Sequence, residues 1–395
     1  MDADLVIVGG GPAGISTALF LARAKPPLRE RILVLERERY PREKVCAGAI
    51  GARADRLLAS IGVRVDVPSA LVQGLSVVAG DRSLRHRLDT PIGRVVRRIE
   101  FDHALANEAR ERAIRIADGT KVASVEIGAD GVRIETDRGE LRARAVVGAD
   151  GVGSIVRRSL GLPRGAFMAQ AVEVDTPAAD FDPPRELLHF DLEERDLPGY
   201  AWDFPTVVGG EPLVCRGIYE LRAEGVPERA ESAPGTAERL MRRVERLGLS
   251  GRASPLRRFA ERGLSLHEPF ARPRALLVGE AAGIDPTLGE GIAQAIQYGA
   301  VAGPYLARAL DEDDLSFASF PAVLRKSRLG LDLAIRARAA RWVYGATRPL
   351  LERWVTSSEP LVLAGMRYFA GERVPRSALA QALVGLAGAA LERGR

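Results

Sequence analysis

The chain has 395 residues, 46% of them hydrophobic and 28% charged, and a formal net charge of +5. That length holds two domains, or one domain carrying an inserted second, and the composition is that of an ordinary globular protein, which excludes wholesale disorder and a disulfide scaffold. The positive charge is nearly all arginine and is spread along the chain instead of being gathered with aromatics, which argues against nucleic acid as a partner.

Residues 5–8, Leu-Val-Ile-Val, form the short apolar run that a strand buried on both faces requires. Gly9, Gly11 and Gly14 follow as G-x-G-x-x-G, with Pro12 and Ala13 between them, and residues 15–24 read as a helix. Such glycines make the tight turn, let a pyrophosphate approach the backbone and let helix pack on strand, while the helix start offers unpaired N–H groups to an anion. Alone, the glycines also suit a unit in which they only permit tight packing. The next strand, residues 31–36, ends on Glu36, 22 positions beyond Gly14. A ribose-binding carboxylate is expected about 20 residues on.

A charged loop over 37–48 carries Arg37, Lys44, Cys46 and Ala47 and leads to a helix over 52–61. Strands over 72–79 and 84–89, turning at Gly80-Asp81, form a first excursion from the nucleotide-binding unit. Arg98 precedes a helix over 102–112. Strands over 121–127, which include Val122, and 132–136 flank a turn signal at Ala129-Asp130-Gly131. A buried strand then runs into Asp150-Gly151. Strands are predicted over 171–175, 186–192, 200–204 and 213–221, then a helix over 237–249 and further strand near Ser265. The apolar strand 275–278 ends at Gly279-Glu280 and, after a loop with Pro286, Gly289 and Gly291 open a second glycine-led helix at Ile292 that continues to about residue 310. From Phe317 onward the chain reads as amphipathic helices broken near Pro349, Pro360 and Pro375.

Three separated elements, G-x-G-x-x-G at 9–14, Asp150-Gly151, and Gly279-Glu-Ala-Ala-Gly283 with Pro286 and Gly289-Glu-Gly291, together resemble the FAD-dependent oxidoreductases of the para-hydroxybenzoate hydroxylase fold. Within that group, Tyr40-Pro-Arg-Glu-Lys-Val-Cys-Ala-Gly48, Arg98-Ile-Glu-Phe-Asp102 and Gly199-Tyr-Ala-Trp-Asp-Phe-Pro205 resemble the geranylgeranyl reductase family. The resemblance covers residues 1 to about 310. It implies an α/β fold with an α+β insert: a Rossmann-type FAD-binding domain over 1–70, 97–160 and 265–315, interleaved with a β-sheet substrate-binding domain over 71–96 and 161–264, then a C-terminal helical region over 316–395. It also implies non-covalent FAD, with Glu36 on the adenosine ribose, Arg98 on the phosphate or flavin side, and Asp150-Gly151 as a second fingerprint. Gly279 and Glu280 are expected at the ribityl chain and diphosphate, and the helix start Gly289, Gly291 and Ile292 at the flavin's pyrimidine edge. Arg37, Lys44, Ala47, Val122 and Pro286 complete the expected cofactor set. Two residues depart from the family pattern: Glu280 stands in place of aspartate and Ala47 in place of glycine.

The implied reaction is reduction of carbon–carbon double bonds in an isoprenoid-like, hydrophobic substrate by hydride from reduced flavin. With no second G-x-G-x-x-G, NAD(P)H or a small redox protein is expected as a transient electron donor. Tyr200, Trp202 and Phe204 alternate, so on a strand their rings share one face. They either wall a dry substrate slot or simply pack the sheet. Cys46 is the expected catalytic thiol, delivering or positioning a proton, or else a small buried hydrophobe. Two other readings stand beside the reductase: an FAD monooxygenase or, further off, a halogenase acting on an aromatic or polyketide substrate, and a flavin-binding protein without turnover. The four scattered histidines lack metal-ligand spacing, so no metal is expected. A helix predicted over 331–356 sets Leu331, Ile335, Ala339, Trp342, Val343, Leu350 and Trp354 near one stripe, either roofing the active site or making peripheral contact with a membrane. No run of about 20 apolar residues is present to span one. Two cysteines and a start that is already strand point to a cytoplasmic setting.

Overall fold

The computed structural model describes residues 1–163, 165–192, 196–228, 233–265 and 267–391. Residues 392–395 of the expected helical region, and 164, 193–195, 229–232 and 266 farther upstream, lie outside the described residues.

Every residue of the strands Ala3–Val8 and Ile32–Glu36 is buried, as the unbroken apolar runs require. They pair in parallel within a sheet ordered Ala271–Arg272, Ala275–Leu277, Gly139–Gly148, Ala3–Val8, Ile32–Glu36 and Arg115–Asp118. The hairpin of Val122–Ile127 and Val132–Thr136 joins this sheet antiparallel along Gly139–Gly148. Helix Pro12–Ala24 starts where the first strand ends, and its Gly14 permits the close approach: a methyl there would stand 1.9 Å from the Gly9 carbonyl oxygen. The second glycine-led helix, Ile292–Asp311, lies along the first. Methyl groups on Gly299 and Gly303 would come 2.3 Å from Ser16 Oγ and 2.6 Å from the Leu21 backbone nitrogen, so only bare backbone fits at this crossing.

A seven-stranded sheet is ordered Arg257–Gly263, Phe167–Pro177, Glu211–Ala223, Gly199–Val208, Leu187–Asp191, Gly74–Ala79 and Arg82–Arg87. All of its pairs are antiparallel except Leu187–Asp191 with Gly74–Ala79. Its faces follow the period of two. Tyr200, Trp202 and Phe204 join one apolar cluster, whereas Ala201 joins Leu240 and Val244 of the helix Thr236–Arg246 on the other side. There Asp203 accepts two bonds from Arg243, at 2.6 and 2.8 Å, and pairs with the fully buried Arg216 at 3.1 Å. Three short strands, Ala49–Gly51, Gly93–Val96 and Ser69–Val72, form a third sheet.

Some local expectations are corrected. The helix after Val96 begins at Arg98, so Arg98 is inside it. The strand expected near Ser265 runs over Arg257–Gly263; its charged residues conceal the alternation, and backbone pairing with Phe167–Pro177 defines it. The single helix expected over 331–356 is two, Arg328–Val343 and Arg348–Ser357, and they are followed by Glu359–Ala370 and Arg376–Leu391. Pro349 and Pro360 sit in first turns, where a missing N–H costs nothing, so they start helices instead of breaking them. The predicted stripe therefore divides. Leu331, Ile335 and Trp342 are 57%, 66% and 71% exposed, while Leu329, Leu333, Ala337 and Ala340 form the buried face of their helix.

Replacing Gly303 with valine should overpack the crossing and lower the unfolding free energy by about 1–3 kcal/mol. Gly365→Ala has no atom within 4 Å of its new methyl and should leave stability equal or raised. Urea denaturation of the two variants measures the difference.

Candidate active site

The ends of the parallel strands and the starts of the two glycine-led helices converge on a cleft of about 430 Å³. Gly9, Gly11, Pro12, Ala13, Glu36, Arg37, Lys44, Arg98, Val122, Asp150, Gly151, Glu280, Gly289, Gly291 and Ile292 all line it. Gly14, Ala47, Gly279 and Pro286 do not. Gly14 and Gly279 are packing positions, a methyl on Gly279 standing 2.5 Å from Ala13 Cβ. Ala47 lines a neighbouring cavity, and the Pro286 carbonyl accepts the Tyr219 hydroxyl at 3.0 Å.

Glu36 is held where the second strand ends. Its Oε2 accepts the Gly10 N–H at 3.0 Å and pairs with Arg42 at 3.1 Å, and its Oε1 accepts the Glu38 N–H at 3.1 Å. Arg42, which the sequence did not single out, also pairs with Asp102 at 3.0 Å, while Arg98 binds the same carboxylate through two bonds of 2.6 and 2.7 Å. Arg42, Arg98, Glu36 and Asp102 thus form one network in which two guanidiniums are balanced by two carboxylates. A methyl on Gly11 would lie 3.9 Å from Nη2 of Arg42 and 4.0 Å from Nη2 of Arg98. The space in front of Gly11 thus faces two cations and the uncapped start of the first helix, which has no acid in its first turn. The start of the second helix is likewise uncapped and has no acid in its first turn.

Asp150 accepts the Ser154 hydroxyl at 2.5 Å and the Ile155 N–H at 2.6 Å, which fixes the turn into the short helix Ile155–Ser159; burial raises its pKa above the ordinary carboxylate range. Glu280 is raised too, by burial, against the opposing charge of Lys44. Its Oε1 is buried with no hydrogen-bond partner, as expected of a group awaiting a ligand hydroxyl.

A second cavity of about 460 Å³ adjoins the first and is walled by Tyr200, Trp202, Phe204, Phe190, Leu188 and Leu75 from the seven-stranded sheet. Val343, Tyr344, Leu351, Val355 and Val362 from the C-terminal helices roof it. The Trp202 indole lies over Gly217, where a methyl would stand 2.1 Å from Cζ2. The hydroxyls of Tyr200 and Tyr344 donate to the Leu288 and Thr287 carbonyls at 2.6 and 2.5 Å, so these rings also hold the loop that leads into the second helix. Cys46, Phe259, Glu261, Gly289, Gly291 and Ile292 line both cavities. Burial pushes the Cys46 thiol up, only partly offset by Arg98, so it is a neutral thiol. Ala47 is not among the residues with positive φ, whereas Gly48 is, at +83°; alanine at 47 is therefore no strain on the loop. Glu261 was missed because its strand was expected elsewhere, and Arg42 because arginine is too common here to stand out.

The family model of an FAD binding domain matches residues 2–315. The chain belongs to the FAD-dependent oxidoreductases, in their geranylgeranyl reductase-like family. It is similar to digeranylgeranylglycerophospholipid reductase 1 of Methanopyrus kandleri, with 30% identity over 344 residues covering 81% of this chain and 84% of the relative. It is similar also to the menaquinone reductase of Mycobacterium tuberculosis, 28% identical over 361 residues, or 86% of this chain and 83% of that one. Among solved structures, a geranylgeranyl bacteriochlorophyll reductase-like protein of Thermoplasma acidophilum shares the fold with a TM-score of 0.69, 21% identity and coverage of 96% and 95%. The same fold also houses a flavin-dependent brominase and an aklavinone hydroxylase.

The cleft suits FAD. The positive space before Gly11 matches a pyrophosphate, the buried Glu280 oxygen matches a cofactor hydroxyl, and the second helix start lies where the cleft meets the apolar cavity. Gly11 has a φ of −76°, so a side chain there does not strain the backbone. Gly11→Val should therefore fold but be purified colourless, with its side chain in the pyrophosphate's place. Gly14→Val, driven into the Gly9 carbonyl, should instead fail to fold. Flavin absorbance and circular dichroism of the two proteins separate the cases; a fully yellow Gly11→Val protein would displace the cofactor from this cleft.

Proposed function

We propose that this chain reduces carbon–carbon double bonds of an isoprenoid-like chain, with reduced FAD as hydride source and NAD(P)H or a small redox protein as its electron supply. One observation carries the reading: a largely apolar cavity, walled by Tyr200, Trp202 and Phe204, that shares Cys46, Phe259, Glu261, Gly289, Gly291 and Ile292 with the cleft fitted to FAD. When bound, FAD supplies the two-electron chemistry. The protein's share is to hold an apolar chain against that junction and to keep water out. The relatives named for reductases of a prenylated lipid and of a prenylated quinone support the same reading.

The cavity's charges describe the substrate further. Arg336 is held by Asp285, by Asp332 at 3.0 Å and by Glu290 at 3.5 Å, and Arg348 is held by Glu352 at 2.5 Å and by the Leu192 and Leu197 carbonyls. Both cations among the described lining residues are thus already matched, so the cavity takes an uncharged chain and leaves a phosphate head outside. Reduced enzyme should saturate a polyprenyl quinone faster than a polyprenyl diphosphate, read by mass spectrometry as a gain of two hydrogens that persists after any quinol is reoxidised to the quinone. Trp202→Ala should raise KM for the prenyl substrate about 10- to 100-fold, the loss of about 1.5–3 kcal/mol of apolar burial, while FAD retention stays unchanged. Oxygen insertion into an aromatic substrate, with no double bond saturated, would move the chain to the monooxygenases.

No helix among the described residues is long and apolar enough to cross a membrane. The exposed Leu331, Ile335 and Trp342 share a helix with the exposed Arg338 and Arg341, and the same helix lines the cavity through Arg336 and Val343. An exposed face that combines Leu331, Ile335 and Trp342 with Arg338 in the same stripe and Arg341 at its edge, beside the cavity, fits the surface of an anionic bilayer. Sedimentation with phosphatidylglycerol vesicles should capture the protein, neutral phosphatidylcholine vesicles should capture less, and replacing all three apolar residues with serine should abolish the capture.

A further inference from the structure

Glu261 is a half-buried acid that the proposed reaction has so far left idle. It stands on the edge strand Arg257–Gly263 of the seven-stranded sheet and lines both the flavin cleft and the apolar cavity. Its Oε2 is buried and has no hydrogen-bond partner. A methyl on Gly289 would come 2.6 Å from that oxygen and 3.0 Å from the Tyr219 ring, so the carboxyl rests against the turn that opens the second helix. The titratable and charged groups around it come from several elements: Glu280 after the strand Ala275–Leu277, Lys44 and Cys46 on the 37–48 loop, Asp285 before the second helix, Tyr200 and Tyr219 on neighbouring strands, and Tyr344 on the roof. Burial, then the nearby Glu280, push its pKa well above the ordinary carboxylate range, and Lys44 opposes them. These influences favour the neutral form of the carboxyl, at the edge of the apolar cavity.

We propose that Glu261, and not Cys46, is the catalytic acid that gives its carboxyl proton to one carbon of the substrate's double bond. This rests on the reductase reading above. Saturating a double bond takes one hydride and one proton. The hydride arrives with its electron pair from reduced flavin; at the other carbon the Glu261 O–H bond breaks and the π pair forms the new C–H bond. The carboxylate left behind regains a proton from solvent. A general acid must be protonated at the working pH and within reach of the reacting atom, and a carboxyl held neutral at the junction of the two cavities meets both needs.

Glu261→Gln keeps the shape and removes the proton. In the infrared difference between wild-type and variant holoenzymes at neutral pH, the wild type should show a protonated-carboxyl stretch that the variant lacks. Formation of saturated product from a polyprenyl alcohol by pre-reduced enzyme in a single turnover, read by mass spectrometry, should slow about 10²- to 10⁴-fold in Glu261→Gln, with FAD retention and flavin reduction by dithionite unchanged. Glu261→Asp should recover part of the rate, and Cys46→Ala should lose less than Glu261→Gln. A Glu261→Gln enzyme that saturates double bonds at the wild-type rate, or a wild type without the neutral carboxyl band, overturns the assignment and leaves the reductase reading standing. A wild type that saturates no double bond overturns both.

Discussion

The crossing of the helices Pro12–Ala24 and Ile292–Asp311 is the constraint on which the rest of the molecule depends. Each helix aims an uncapped N-terminus at the same cleft, yet their starts are about 280 residues apart in sequence. What holds them in register is close backbone contact, with Gly299 and Gly303 against Ser16 and Leu21 and the Ser16 hydroxyl shared between the Ala13 and Ala295 carbonyls. Close-packed interiors do not yield by small amounts, so the distance between the two positive helix ends is set by this contact. The long excursion through the seven-stranded sheet leaves from, and returns to, a frame that is already fixed.

Two neighbouring cavities with opposite chemistry are built on that frame. The flavin cleft concentrates charge: Arg42 and Arg98 on one carboxylate, Glu36 at the strand end, Glu280 with a buried oxygen still unmatched. The adjoining cavity is walled by aromatic rings, and the cations at its edge are tied to carboxylates. Cofactor binding needs fixed charge and unpaired donors, whereas a prenyl chain needs their absence, since any polar group stripped of water without a partner costs free energy. The same alternating strand serves both ends: Trp202 and Phe204 face the slot, Asp203 faces the arginines beneath the sheet, and the Tyr200 hydroxyl ties the loop that leads into the second glycine-led helix.

Much of the cleft was legible residue by residue, because a dinucleotide site is made from local signals. Strand, glycine turn and helix start are contiguous, and the acid of the next strand lies at a fixed distance along the chain. The alternation of Tyr200, Trp202 and Phe204 was equally local. Glu280 and Ala47 looked like departures; in the fold Glu280 still reaches the cleft, and Ala47 takes a backbone conformation that needs no glycine. What escaped the sequence were groups whose meaning lies in their neighbours. Arg42 is one arginine among many until Asp102 and Glu36 are seen beside it, and Glu261 is a charged residue on a charged edge strand until two cavities are seen to meet at it.

The sequence by itself determined the fold class and the two glycine turns that open onto the cleft, because buried parallel strands and tight strand-to-helix turns are written as short patterns of apolar and glycine residues. Only the tertiary structure decided which face each C-terminal helix turns inward, where the 331–356 stripe breaks, and which carboxyl is left buried without a partner. Those outcomes depend on which distant segments share a volume: Tyr344 reaching the Thr287 carbonyl, Arg336 caught between Asp285 and Asp332, Glu261 pressed against Gly289. Periodicity along one helix or strand carries no record of what packs against it, and the pKa of a buried acid is set by that packing.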